Sequence, residues 1–351
     1  MDETRIGRIF ADAVSRGASD VHLAAGQRPF LRLDGELAPL SEEALTQAET
    51  EAFLAQVLRG EERARLRQEG SVDCPLTLWG NRCRAHVYGM GESWAFAVRL
   101  LPRETPRLSS LGAPPALSSL LTARDGLILV GGRTGSGKST TLAAFLEELN
   151  KCRAAHIITL EDPIEHVFVP KRCFISQRAL GRDVPSFPTG LRDALREDPD
   201  VILIGEMRER ETVRIALQAA ESGCLVLATL HTRDAAEAVL RIEGLFPGEE
   251  AQMRSQLALV LRAVVSQRLL PRTAGGRVLA AEALVAVPAV RNLIRAGRVA
   301  QLRSAILSGG AQGMQTMAQS VERLLRAGEI TREAAEIALA DCAVSAEAFG
   351  A

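Results

Sequence analysis

Lysine and aromatic side chains are scarce in this 351-residue sequence, and it has no surplus of positive charge. Lys138, Lys151 and Lys171 are its only lysines, and aromatic residues make up 4% of the chain, so its core must be built from Leu, Val, Ile and Ala. The formal net charge is −1, which argues against the strongly basic face that a nucleic-acid partner usually requires. Cys74, Cys83, Cys152, Cys173, Cys224 and Cys342 contain no C-x-x-C pair, so neither a zinc ribbon nor a thioredoxin-type site is expected. No apolar run is long enough to span a bilayer. The opening MDETRIGRIFADAV is charged and amphipathic and does not read as a secretory leader. A soluble cytoplasmic protein with reduced thiols is the expectation.

What is present is apolar content, at 47%, in a chain long enough for two or three domains. Ile6, Ile9, Phe10, Ala13 and Val14 recur at helical spacing before Gly17. Strand-like runs follow at 20–24 and 29–33, with Asp34-Gly35 as a turn. Residues 42–69 read as helices, and 72–79, 82–89 and 94–100 read as strands. A mixed α/β domain over 1–101 results. The stretch 102–118 contains Pro102, Pro106, Pro114 and Pro115 and reads as a linker. From 119 to 271, the short apolar runs LILV, HIITL, VILIG and LVLATL alternate with helical stretches, as in a parallel sheet covered on both faces. Residues 272–351 read as helices.

Gly132, Arg133, Thr134, Gly135, Ser136, Gly137, Lys138 and Ser139 spell G-x-x-x-x-G-K-S between a strand and a helix that begins near Thr140. Glycines allow backbone N–H groups to curl around phosphates, and the helix N-terminus favours their charge. This pattern expects Lys138 on the β- and γ-phosphates and the Ser139 hydroxyl on Mg²⁺. Two further strands run into acids, at Glu161-Asp162 and at Glu206. A carboxylate near the metal and another directed at the attacking water are a minimal kit for hydrolysis. A fourth strand runs into His231, a candidate γ-phosphate sensor. Arg82, Arg84 and Arg99, on strand-like segments of the first domain, could supply positive charge to a transition state.

These motifs together resemble the secretion-superfamily hexameric ATPases, in particular their type IV pilus retraction branch. Gly17 to Leu23 is similar to the family's opening, Leu31 to Glu36 to the strand-turn that follows, and Glu161 to Glu165 to its acidic box. Leu195 to Arg208 is similar to its Walker B signature, Thr229 to Thr232 to its His box, and Ala289 to Arg295 with Gly313 to Met317 to C-terminal segments of that branch. Glu209 stands where the signature usually has Asp, and Ala296 where the retraction helix usually has Glu. No four-cysteine insertion of the extension and type II secretion relatives is present.

The resemblance implies an α/β protein with a PAS-like N-terminal domain, a RecA-like P-loop core with a mostly parallel sheet, and a C-terminal helical segment. It implies a homohexamer that uses ATP and Mg²⁺ and works on a pilus platform protein at the cytoplasmic face of the inner membrane. Glu206 would be the base, Glu161 or Asp162 would lie near magnesium, and Arg84 and Arg99 would be the N-domain arginines that approach the phosphates.

Overall fold

The computed structural model describes residues 4–40, 43–101 and 105–347, the side chains only as far as 340. The chain divides into two compact units, Met1–Glu104 and Thr105–Ala351.

The first unit runs α1 (Arg5–Ser15), β1 (Asp20–Ala24), β2 (Phe30–Leu33), β3 (Glu36–Pro39), α2 (Gln47–Val57), α3 (Gly60–Glu69), β4 (Ser71–Leu78), β5 (Asn81–Met90) and β6 (Ser93–Leu100). Its six strands form one antiparallel sheet in the order β3-β2-β1-β6-β5-β4. Strand side chains alternate between faces. Val21, Leu31, Ala85, Val87, Phe96 and Val98 therefore turn inward against Phe10, Phe53 and Leu66 of the helices. The alternate positions Asp20, Arg32, Arg84 and Arg99 fall on the opposite face. β3 was not expected. It is short and mostly exposed, so no buried alternation marks it in the sequence.

The second unit runs α4 (Pro115–Ser119), β7 (Gly126–Gly132), α5 (Lys138–Cys152), β8 (His156–Glu161), β9 (Phe174–Ala179), α6 (Phe187–Ala194), β10 (Val201–Ile204), α7 (Arg210–Glu221), β11 (Leu225–Leu230), α8 (Ala235–Gly244), α9 (Glu250–Val260), β12 (Leu261–Pro271), β13 (Arg277–Val285), α10 (Pro288–Arg295), α11 (Leu302–Ser308), α12 (Met317–Arg326) and α13 (Arg332–Glu347). Its sheet order is β13-β12-β7-β11-β10-β8-β9, parallel except for β13. Both faces are buried. Leu127, Leu129, Ile158, Ile202 and Val226 face the core shared with α6 to α11, and Ile128, Val130, Ile157, Leu203 and Leu227 face the core that contains α5. This is the reason the strands read as continuous apolar runs.

Two expectations change here. Residues 105–118 are not a free linker, because Leu108 and Leu117 are buried in the α5 side of the second unit's core. Pro102 lies outside the described residues. Residues 272–351 are not all helical either: Arg277–Val285 is β13, paired antiparallel to β12 along its whole length. Its RVLAAEALV run is alanine-rich, which blurs helix and strand at the level of pattern. In the retraction-branch segment, the Arg291 guanidinium donates to the carbonyls of Ala286 (2.8 Å), Ala258 (3.3 Å) and Leu261 (3.0 Å). That arginine therefore satisfies the open C-terminal end of α9.

Candidate active site

β7 enters the phosphate loop through Gly131 and Gly132, and α5 leaves it with Gly137 in the left-handed region as its N-cap. The glycines are required by space as well as by conformation. A Cβ on Gly131 would sit 2.5 Å from Thr232 Oγ1, and one on Gly132 would sit 2.3 Å from Ser136 Oγ and 2.7 Å from the Gln267 carbonyl oxygen. The loop curls tightly on β12 and on the segment after β11, and its exposed stretch Arg133, Thr134 and Gly135 faces outward. Lys138 is buried, and its Nζ donates to the carbonyls of Gly132 (2.8 Å) and Arg133 (3.1 Å). Burial lowers its pKa, while Glu206 and Glu165 oppose that shift. Ser139 is exposed and Thr140 partly so, both in the first turn of α5.

The carboxyl ends of β8, β10 and β11 converge beside this loop, where ligands sit in open parallel sheets. Glu206 follows β10, and its carboxylate meets Arg208 Nε at 2.6 Å and His231 Nε2 at 3.2 Å. Burial pushes its pKa up, but Arg208, His231 and Lys138 outweigh burial and hold it below the usual carboxylate range. Glu206 is thus an ionised acceptor at neutral pH. Glu161 ends β8 with the opposite balance. Burial raises its pKa against hydrogen bonds from the Thr159 hydroxyl (2.7 Å) and the Gln177 amide (3.2 Å). Gly205 brings the two acidic strand ends together, since its N–H donates to Leu160 O at 2.7 Å and a Cβ there would lie 3.3 Å from Glu161 Cα. Asp162 is exposed beside Glu161, where its charge reaches Arg208.

The structure therefore brings Lys138, Glu206 and His231 into one electrostatic neighbourhood and sets Glu161 alongside it. Arg84 and Arg99 belong to the first unit, where they are cross-strand partners; Arg99 Nε lies 2.9 Å from Asp20 and Arg84 Nε 3.5 Å from Asp73. Sequence reasoning passed over Gln177, and quoted Glu165 only as the end of the acidic box. It also passed over Ser266 and Gln267 on β12. The side-chain oxygens of Ser136, Thr232, Ser266 and Gln267 that line the underside of the loop are buried without a partner. Such unpaired polar atoms mark a place built for more than packing. Ser136 and Thr232 fall within the phosphate loop and the His box, whereas no short motif carries Ser266 and Gln267, which reach the loop from β12.

Two hollows flank the loop within the second unit. One, of about 390 Å³, lies beside Gly137, Thr140, Leu269, Arg277 and Arg323. The other, of about 410 Å³, is lined by Arg133, Thr134, His231, Thr232 and Arg233. Both are in the size range of ligand pockets.

A phosphate loop, a parallel sheet and acidic strand ends on one edge define the class of P-loop nucleotide-binding proteins. Within that class, residues 3–329 match the family model for type II/IV secretion system proteins, and the chain belongs to that family. It is 41% identical to the type IV pilus retraction ATPase PilT of Pseudomonas aeruginosa, over 93% of this chain and 96% of that one. It is 46% identical to the protein YggR of Escherichia coli, over 92% of this chain and 98% of that one. A crystal structure of the pilus retraction motor PilT with bound ADP superposes with a TM-score of 0.86 at 43% identity, covering 96% of this chain and 97% of that one.

Proposed function

We propose that the chain is an ATP-hydrolysing motor that powers type IV pilus retraction. One observation carries the hydrolytic part. Glu206 is an ionised carboxylate fixed between His231 and Arg208, within electrostatic reach of the phosphate-loop lysine. In this reading the loop N–H groups, Lys138 and the first turn of α5 hold the triphosphate. Glu206 orients the attacking water and accepts its proton, and His231 fixes the carboxylate and reports on the γ-phosphate. The hollow beside Gly137 and Thr140 takes the nucleoside.

Mg²⁺ usually takes one or two protein oxygens together with the phosphates. The Ser139 hydroxyl and the Glu161 carboxylate are donors of that kind, so the residues fit the ion. Bound there, it would neutralise phosphate charge. In a homohexamer, Arg84 and Arg99 are the arginines we propose to lend positive charge to the phosphates. Among the described residues no helix is long and apolar enough to cross a membrane. The proposed work on a pilus platform protein would be done from the cytoplasmic face of the inner membrane.

The likeness to PilT over most of both chains supports retraction above extension. Deleting the gene in a piliated host tests it. Persistent or excess pili with lost twitching are expected, whereas loss of pili would assign the chain to assembly.

A further inference from the structure

We infer that Gln177 is a positioning residue for the ATPase reaction, holding the Glu161 carboxylate at the edge of the phosphate site. The inference rests on the reading that Glu161 works beside the metal. β8 and β9 run parallel with Thr159 opposite Gln177. Side chains two apart share a face, so Thr159, Glu161 and Gln177 lie on one side of the sheet. That side also carries Ile157 and Ile175, which pack on the α5 core.

There the Gln177 amide uses both ends. Nε2 donates to Glu161 Oε1 (3.2 Å) and to the His166 carbonyl (2.8 Å), and Oε1 accepts from the Phe168 N–H (3.0 Å). Glu161 Oε1 also receives the Thr159 hydroxyl at 2.7 Å. Two side-chain donors converge on one oxygen, and the Glu165 N–H adds a backbone hydrogen bond to the same carboxylate, so its rotation is fixed. An amide is the side chain that can do this while also closing the loop, because it offers two donors and an acceptor in one plane.

The same segment is tied to α5 at its far end. Asn150, fully buried, donates to the Val169 carbonyl (2.9 Å) and accepts from the Lys171 N–H (2.9 Å). The segment after Glu161 thus spans two clamps, and only the Gln177 clamp touches the carboxylate. This difference separates positioning from simple loop anchorage.

Groups that orient a ligating carboxylate typically change metal affinity or activity about 10- to 100-fold when removed. The test uses the full-length protein with a fluorescent ATP analogue, titrated with and without Mg²⁺, alongside steady-state ATPase assays. Gln177→Glu keeps the shape and removes the donors. Gln177→Met keeps the length and removes all three hydrogen bonds, and serves if the charged variant does not fold.

For either variant, analogue binding in EDTA should stay within about twofold of the parent. The half-saturating Mg²⁺ concentration should rise about tenfold, and kcat should fall about tenfold with KM nearly unchanged. Asn150→Ser should lower the melting temperature while leaving the Mg²⁺ requirement in place. An unchanged Mg²⁺ requirement in both Gln177 variants, or an equal rise in Asn150→Ser, overturns the inference. Glu161→Gln separates the two levels. If it moves the Mg²⁺ requirement and the Gln177 variants do not, the positioning role alone fails. If Glu161→Gln also leaves it unmoved, the metal-side reading of Glu161 fails as well.

Discussion

In the first unit charged side chains line up across a sheet face. Arg32, Asp20, Arg99 and Arg84 occupy one cross-strand row over β2, β1, β6 and β5. In the second unit they gather at strand ends, where Glu161, Glu206 and His231 follow β8, β10 and β11. Strand direction explains the contrast. Parallel strands all end on the same edge, so the polar residue that closes each one arrives at a common place beside the phosphate loop. Antiparallel strands end on alternate edges, and their polar residues meet only by register across the uncovered face. The first unit therefore offers a surface of paired charges, and the second a site with converging ones.

That contrast can be broken at the loop first. Gly132→Ala should have the largest effect, because the new Cβ would lie 2.3 Å from Ser136 Oγ and 2.7 Å from a backbone oxygen, at a φ of +150°. A loss of about 2 kcal/mol or more in folding stability is expected, with nucleotide binding weakened at least ~10-fold. Chemical denaturation and nucleotide titration would show both. A glycine of the first unit provides the counterpart. Gly35 also has positive φ, +98°, but nothing lies within 4 Å of an added Cβ. Gly35→Ala should cost only the roughly 1 kcal/mol of the left-handed backbone.

Glu282 sharpens the second unit's side of the comparison. It sits on β13, accepts the Ala235 N–H at the start of α8 (2.9 Å), and is pushed by burial up to about 7. A carboxyl whose folded value lies above its unfolded 4.5 binds a proton on folding between the two, so stability falls as pH rises through that window. Glu282→Gln keeps an acceptor for Ala235 and cannot ionise. Its folding free energy should gain on the parent's between pH 5 and pH 8 by an amount on the order of 2 kcal/mol, read by chemical denaturation at each pH, and an equal pH slope in both proteins would refute this.

The smallest effect belongs to the first unit's row. Asp20→Asn removes the partner of a half-exposed Arg99 and should change stability by less than about 1 kcal/mol. If Arg99 serves the phosphates, ATPase activity should respond while the melting temperature does not.

How much of this was legible beforehand follows the same division. In the second unit β7, β8, β10 and β11 were readable because burial on both faces leaves unbroken apolar runs, and the loop was readable because phosphate chemistry demands glycines and lysine at fixed spacing; β9, an edge strand that is mostly only partly buried, and β12 were not read as strands. β13 was not either, since AAEA serves helix and strand equally. The 105–118 segment was misread because its prolines suggested a linker, yet Leu108 and Leu117 pack into the core. Gln177 and Ser266 carry no local signature; they acquire meaning only when parallel pairing sets them beside residues distant in the chain. Arg291 was legible as a motif residue, but its use as a cap for α9 depends on the carbonyls of Ala258, Leu259 and Leu261, well before it in the chain.

The central claim is that Glu206 performs the hydrolytic step at an edge that binds nucleotide without it. The most direct measurement compares ATP binding and single-turnover hydrolysis in Glu206→Gln and the parent. The account predicts parent-like binding with turnover reduced by roughly 100-fold or more. Turnover at the parent rate would contradict it.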